Sequence, residues 1–229
     1  MIPVLGVPYI SRPDLLRALL ASVDVPVGRV VVIDNSPDAS APVPPGAEHV
    51  PMRHNTGVAA SWNLVIRMAP LAPWWLLANA DVEFAPGDLA ALAGAVGTAA
   101  GVWEMWGFAA FALNRAAVDA AGLFDENFHP AHHEDCDYRR RLALAGVPRR
   151  AVPCGTAHAG HATIASDGRL RALNERTAAD NARYYAAKWG CLDCEDGRES
   201  FTSPFGRGAG VSAWVLDFAR LRGQTWGDA

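Results

Sequence analysis

Three short apolar runs, each stopping at polar residues, constrain what this chain can fold into more than any other feature. Residues 2–7 lead into Pro8 and Tyr9, residues 29–33 (Arg-Val-Val-Val-Ile) into Asp34-Asn35-Ser36-Pro37-Asp38, and Trp74–Ala78 into Asn79-Ala80-Asp81. Runs of strand length without polar alternation are buried on both faces, the pattern of parallel strands covered by helices. The intervening segments supply the helices. Ser11-Arg-Pro-Asp14 reads as a capping box with Pro near the first turn, opening a helix through Val23. A Pro-rich connector (Pro42, Pro44, Pro45) precedes a short edge element at Glu48–Pro51. Val58–Met68 has helical spacing, and Pro86-Gly87-Asp88 opens an Ala-rich helix to Ala99. Strand–helix alternation with polar strand ends predicts an open α/β sheet whose ligands bind beyond the carboxyl ends of the strands.

The second half changes character. Residues 107–113 read as a strand, and 116–121 as a short helix closed by Gly122. An aromatic and polar loop over 124–133 leads to a helix over 134–145 that carries Arg139, Arg140 and Arg141 and ends at Gly146. Residues 147–152 suggest a last strand, 169–189 a long helix, and 211–221 an amphipathic one. The expected organisation is one α/β domain over residues 1–205 with a C-terminal helical tail over 206–229.

Composition narrows the function classes. Hydrophobic residues make up 51% of the 229 and charged residues 19%, which excludes a disordered chain. The net charge of −4 gives no basic surface for a nucleic acid. No apolar run reaches the roughly 18–20 residues that span a bilayer. Met1-Ile2-Pro3-Val4-Leu5 has no basic region and no cleavage pattern, so the expected location is the cytoplasm. Cys136, Cys154, Cys191 and Cys194 are expected there as thiols. Cys191-Leu-Asp-Cys194 and His158-Ala-Gly-His161 have the ligand types of a zinc site, at long spacing.

Four polar clusters can carry chemistry. Tyr9 and Asp34 end neighbouring strands and can flank one ligand, the ring stacking on a base and the carboxylate accepting from a base N–H or a ribose hydroxyl; Asp34 can equally serve its own turn. Asn79 and Asp81, two apart on an extended segment, point the same way and can meet one ion. An oxygen set of this kind, completed by waters and phosphates, suits magnesium or manganese. Glu134, Asp135 and Asp137 open a helix behind His132 and His133, where they complement the helix dipole or supply a general base. His158 and His161 share a loop of small residues after the last strand.

In this order the residues resemble a nucleotide-sugar glycosyltransferase of the GT-A fold, family 2 type. The likeness runs from residues 4–9 through Asp34, Asn55-Thr-Gly57 with Asn63, Asn79-Ala-Asp81 in place of a DxD motif, Phe124-Asp-Glu-Asn-Phe128, Glu134-Asp135 and His158. Arg183-Tyr-Tyr-Ala-Ala-Lys188-Trp-Gly190 resembles a C-terminal Tyr-Tyr-x-x-Lys-Trp-Gly element of some members. The likeness covers residues 2–205, and its weight lies in the order of the motifs, since each is short. Departures are Asn79 where many members carry Asp, Cys191 where a Gly often follows, and two histidines, His158 and His161, for one role.

The resemblance implies a Rossmann-like open mixed sheet flanked by helices. It implies transfer, with inversion, of a hexosyl or deoxyhexosyl unit from a nucleotide-diphosphate donor to a hydroxyl of a small molecule, natural product or oligosaccharide. A divalent metal (Mn2+ or Mg2+) on Asp81 with His158 or His161 would stabilise the leaving diphosphate. Pro8, Tyr9, Asp34, Asn55, Gly57, Asn63 and Asn79 would meet the donor nucleotide. Asp135 would be the base, with Glu134 the alternative; Trp103 and Trp106 would stack on an acceptor sugar or equally pack in the core, and Asp137 would be a structural or an acceptor-side carboxylate. Neither nucleic acid nor a transmembrane segment is expected, and the chain can act alone or as a homodimer. A nucleotidyltransferase would place a Gly-rich, basic loop where Pro8-Tyr-Ile-Ser-Arg-Pro13 stands, and GxGxxG is absent. A non-catalytic nucleotide-sugar-binding relative would have no need of Asp135.

Overall fold

Four parallel strands hold the first half of the chain. β1 (Ile2–Tyr9), β2 (Val27–Asp34), β3 (Glu48–Pro51) and β4 (Trp74–Ala78) lie side by side in the order β3-β2-β1-β4. The computed structural model describes residues 1–160, 168–191 and 199–206. The chain leaves β1 toward one edge and returns to its other side for β4, so a crevice opens at their carboxyl ends. The sheet then becomes mixed. β7 (Ala110–Asn114) runs antiparallel to β4, β6 (Val102–Trp106) antiparallel to β7, and β8 (Arg149–Ala151) parallel to β6 at the far edge. A separate two-stranded ladder joins β5 (Val82–Glu83) to β9 (Ala157–His158).

Alternate side chains of the central strands feed two cores. Trp75 and Leu77 of β4, with Phe111 and Leu113 of β7, pack toward α2 (Val58–Met68), α4 (Arg115–Ala121) and α5 (Glu134–Leu144). Trp74, Leu76, Ala110 and Ala112 face α1 (Pro13–Ala21) and α3 (Asp88–Ala95). Every residue of β4 and β7 is buried. Burial on both faces explains why their sequences read as continuous apolar runs. Gly6 lets α2 close onto β1, since a Cβ there would stand 2.5 Å from Val65 Cγ1. At the end of β7, Asn114 accepts from the Ala117 and Gly101 amides and donates to the carbonyls of Gly97 and Ala99. One side chain thus caps α4 and pins the turn before β6.

α6 (Gly168–Trp189) follows β9 and ends in a third, smaller core of Phe128, Cys136, Tyr185 and Trp189. Beneath it lies a buried charged knot. Lys188 Nζ stands 2.7 Å from Asp125 Oδ2 and 2.6 Å from Asp137 Oδ1, and Arg141 Nε donates to Asp137 Oδ2 at 2.8 Å. Trp189 Nε1 and the Tyr184 hydroxyl donate to the same two carboxylates. Burial alone would push the Asp125 carboxyl up, but Lys188 and Asn127 outweigh it and hold it below the usual range.

Several expectations are corrected. The capping box does not form. Arg12, disfavoured from helical geometry by the following Pro13, takes φ 64 at the N-cap and bonds Asp14, while Ser11 Oγ has no partner. The helix expected to reach Ala99 ends at Ala95, and the strand expected from residue 107 starts at Ala110. β6 arises where only a lead-in to that strand was expected. Cys136 is disulfide-bonded rather than the expected thiol, whereas Cys154 and Cys191 take part in no disulfide. Cys194, the second half of the proposed zinc CxxC, lies outside the described residues, as does the helix expected over 211–221. Among the described residues no helix is long and apolar enough to cross a membrane.

Candidate active site

The crevice beyond β1 and β4 holds a cavity of about 280 Å³. Its first wall is the end of β1, Pro8, Tyr9 and Ile10, with Asn55, Gly57 and Trp62 beside it. Asn55 Oδ1 accepts from the Gly57 amide at 3.0 Å, and this turn leads into α2. Gly57 has φ 87, and a Cβ there would meet His129 and Pro130 at 3.0 Å, so only glycine fits.

The second wall is Asn79, Ala80 and Asp81, joined by His158. The β5–β9 ladder explains how residues so far apart in sequence meet, for it sets Val82 opposite His158 and binds the Ala159 amide to the Asp81 carbonyl. His158 Nε2 then lies 3.1 Å from Asp81 Oδ1. Asp88 anchors the approach, its carboxylate accepting from the Gly155 amide and the Thr156 hydroxyl. The sequence reading missed Asp88; acidic residues in a first helical turn ordinarily answer only the dipole.

The segment from Pro130 to Asp135 lines the same cavity, apart from His133. Glu134 and Asp135 open α5 in different surroundings. Glu134 is 7% exposed, Oε2 has no partner, and burial together with the neighbouring Asp135 charge pushes its carboxyl up to about 8. Asp135 is partly exposed and ion-paired with Arg139 at 3.2 Å. Glu134 is thereby kept a neutral acid at neutral pH, while its neighbour Asp135 sits in the different surroundings of an ion pair. Leu170, Leu173 and Asn174 of α6 close the cavity on the last side.

Nine sequence-predicted residues converge here: Pro8, Tyr9, Asn55, Gly57, Asn79, Asp81, Glu134, Asp135 and His158. Others do not. Asp34 is fully buried off the cavity, and its oxygens are taken by the Ser36 amide and hydroxyl, the Ala41 amide and His49 Nε2. Burial opposes its ionisation, but these bonds outweigh it and hold the carboxyl below its ordinary value. Its neighbour Asn35 lines the cavity instead, with its amide engaged by Thr56 and Ser61. Asn63 is spent on Phe124 and Glu126, tying α2 to the Phe-Asp-Glu-Asn-Phe loop. Asp137 belongs to the buried knot rather than to an acceptor surface. Trp103 is buried under the Arg150 guanidinium. Trp106 is half exposed, its ring 6.2 Å from that of His158. His161 lies outside the described residues.

For a cation, the second wall offers the Asp81 carboxylate, the His158 imidazole and Asn79 Oδ1, a buried oxygen without a hydrogen-bond partner. Among the described residues no group of three or more His, Cys, Asp or Glu forms a ready-made metal site. The set fits an ion that keeps waters and takes phosphate oxygens rather than one caged by protein.

No family model matches the chain. Over 135 residues it is 33% identical to a galactofuranosyl glycosyltransferase of Leishmania donovani, an alignment covering 50% of this chain and 31% of the relative. The chain thus spans about a third of that relative's length. Among solved structures, residues 1–349 of S. aureus TarS superpose with a TM-score of 0.55 at 13% identity, covering 80% of this chain and 69% of TarS. GalNAc-T7 with UDP, GalNAc and Mn2+ gives 0.55 at 14% identity, over 69% of this chain and 44% of that one. The architecture is the GT-A fold of glycosyltransferases.

Proposed function

We propose that this chain is an inverting glycosyltransferase of family 2 type, with residues 1–205 as the catalytic unit and 206–229 as a tail. It would move a hexosyl or deoxyhexosyl unit from a nucleotide-diphosphate donor to a hydroxyl of a small molecule, natural product or oligosaccharide. The observation that carries this reading is one cavity lined by two chemically different pairs, Asp81 with His158 and Glu134 with Asp135. The galactofuranosyl glycosyltransferase named above and the UDP, GalNAc and Mn2+ of GalNAc-T7 support a sugar nucleotide and a divalent metal.

Asp135 takes the proton of the acceptor hydroxyl as its oxygen attacks the anomeric carbon. The bond from that carbon to the phosphate oxygen breaks on the opposite face, and the nucleoside diphosphate departs with the electron pair. Glu134 holds its own proton at neutral pH and serves as a hydrogen-bond donor rather than a base. Among the described residues the cavity lining includes no Lys or Arg, and its Asp81 and Asp135 carboxyls disfavour an unaccompanied diphosphate. Mn2+ or Mg2+ held by Asp81, His158 and Asn79 would supply the missing positive charge. Pro8, Tyr9, Asn55 and Gly57 form the donor side, and Trp106 offers an acceptor sugar a ring face beside His158.

Asp135→Asn tests the assignment. Transfer should fall by at least about 10²–10⁴-fold, the usual worth of a placed base, while donor binding stays within about twofold of wild type. A variant that turns over normally removes Asp135 as the base.

A further inference from the structure

Asn174, Asn181 and Lys188 recur every seven residues along α6 and so share one face of it. That face grips the chain around the catalytic carboxyls at three points. The Asn174 amide nitrogen is 2.8 Å from His132 Nε2. Asn181, 4% exposed, directs one amide nitrogen at three carbonyls: Ala131 at 2.8 Å, His132 at 3.2 Å and His129 at 3.4 Å. Lys188 joins Asp125 to Asp137, one turn into α5 from Glu134.

The gripped loop needs holding. His132 and His133 have φ 77 and 72, two consecutive side-chain-bearing residues in the left-handed region, immediately before Glu134. Such a conformation persists only where surrounding bonds overdetermine it. His133 is the N-cap of α5 and provides no side-chain cap. The opposite flank of the loop is tied to the donor side, the Val58 amide bonding the Pro130 carbonyl and His129 Nε2 the Asn55 carbonyl. The loop is therefore stretched between α2 and α6, and its conformation sets the direction in which α5 presents its first two carboxyls.

We propose that Asn181 is a positioning residue, which, through the carbonyls of His129, Ala131 and His132 and with Asn174 and Lys188 on either side, holds Glu134 and Asp135 in the lining of the cavity that Asp81 and His158 share. It touches no reacting atom. The assignment rests on the proposed transfer reaction only for its catalytic consequence; the grip itself has a signature independent of activity. While the loop is held, Glu134 is only 7% exposed. Released, it meets solvent, and its carboxyl returns toward the ordinary range.

The test compares wild type with Asn181→Ala and with Asn181→Leu, which keeps the volume and deletes the donor if the alanine variant does not fold. Two readouts are taken on the full chain. The first is the titration midpoint of the Glu134 carboxyl by ¹³C NMR, assigned by its loss in Glu134→Gln. It should fall by at least about one pH unit in the Asn181 variants. The second is transfer kinetics, with kcat lowered on the order of 100-fold and donor KM changed by no more than about twofold, since misplacement of catalytic groups acts on the chemical step. An unmoved Glu134 midpoint overturns the proposal, and so does a KM rising as much as kcat falls. A midpoint that falls in a protein without any transferase activity sustains the grip and refutes the reaction instead.

Discussion

Glu134 is buried beside a charged neighbour and holds its proton to about pH 8, and that can be measured in stability. Between the ordinary glutamate value of 4.5 and about 8, the folded protein holds a proton on Glu134 that the unfolded chain has released. The unfolded state binds fewer protons there, so stability falls as pH rises across that window. Glu134→Gln, always neutral, should match wild type near the acid end and become progressively more stable than it toward pH 8. Parallel curves in urea titrations at both ends would show that Glu134 is ionised in the fold. At this scale the sequence was informative where residues stand at the ends of strands and helices: Asp81, Glu134, Asp135 and His158 all reach the cavity. It misled at Asp34, for the number of donors that a turn will turn inward is a property of the turn and not of the residue. Two hydroxyl- and amide-bearing positions of the Ser36 to Ala41 segment fold back on that carboxylate and leave nothing for a nucleotide.

Among elements, α6 carries consequences out of proportion to its distance from the cavity floor. Lys188→Met should cost about 3–5 kcal/mol, because it strands the Asp125 carboxylate in a buried site and strips Asp137 of one of its two cations. The check is the urea midpoint at constant slope; a shift within error would mean that water reaches the knot. The long elements were legible. Val58–Met68 and Trp74–Ala78 are found as read, and α6 begins one residue before the expected 169. Short pieces were uneven. The edge element at Glu48–Pro51 is found as read and the strand expected over 147–152 as Arg149–Ala151, but β9 has two residues, too few for any period to show, although it is what delivers His158. β6 was missed because Val102–Trp106 carries among its apolar residues a glutamate that is ion-paired with Arg149 across the edge. The Phe124–Phe128 motif was legible as a motif but not as a joint; its acids bind Lys188, Asn63 and Arg67.

For the molecule as a whole, ligand binding must appear as resistance to unfolding. A nucleotide at about 100 times its dissociation constant adds roughly 2.7 kcal/mol, or about 5–10 °C in Tm for a domain of this size. Melting with UDP, GDP or dTDP, each with manganese, magnesium or EDTA, should show such a rise for one nucleotide and its loss in EDTA, as expected where Asp81 and Asp135 line the cavity and no described lining residue is Lys or Arg. A rise that survives EDTA would remove the cation from Asp81. The overall plan was readable because strand burial on both faces leaves a plain trace in sequence, and the reversal between β1 and β4 follows from where parallel strands put their ligands.

The cavity draws its walls from residue 8 to residue 174. A polypeptide leaves the ribosome amino end first, so β1 to β4 can pair while residues 168–189 are still unmade. At that stage the crevice is an open trough, with the Asp135 loop lacking the helix that steadies it. The half-made protein has part of the cavity before it has the helix that completes it, and translation itself withholds the last wall until almost the whole sheet is already built.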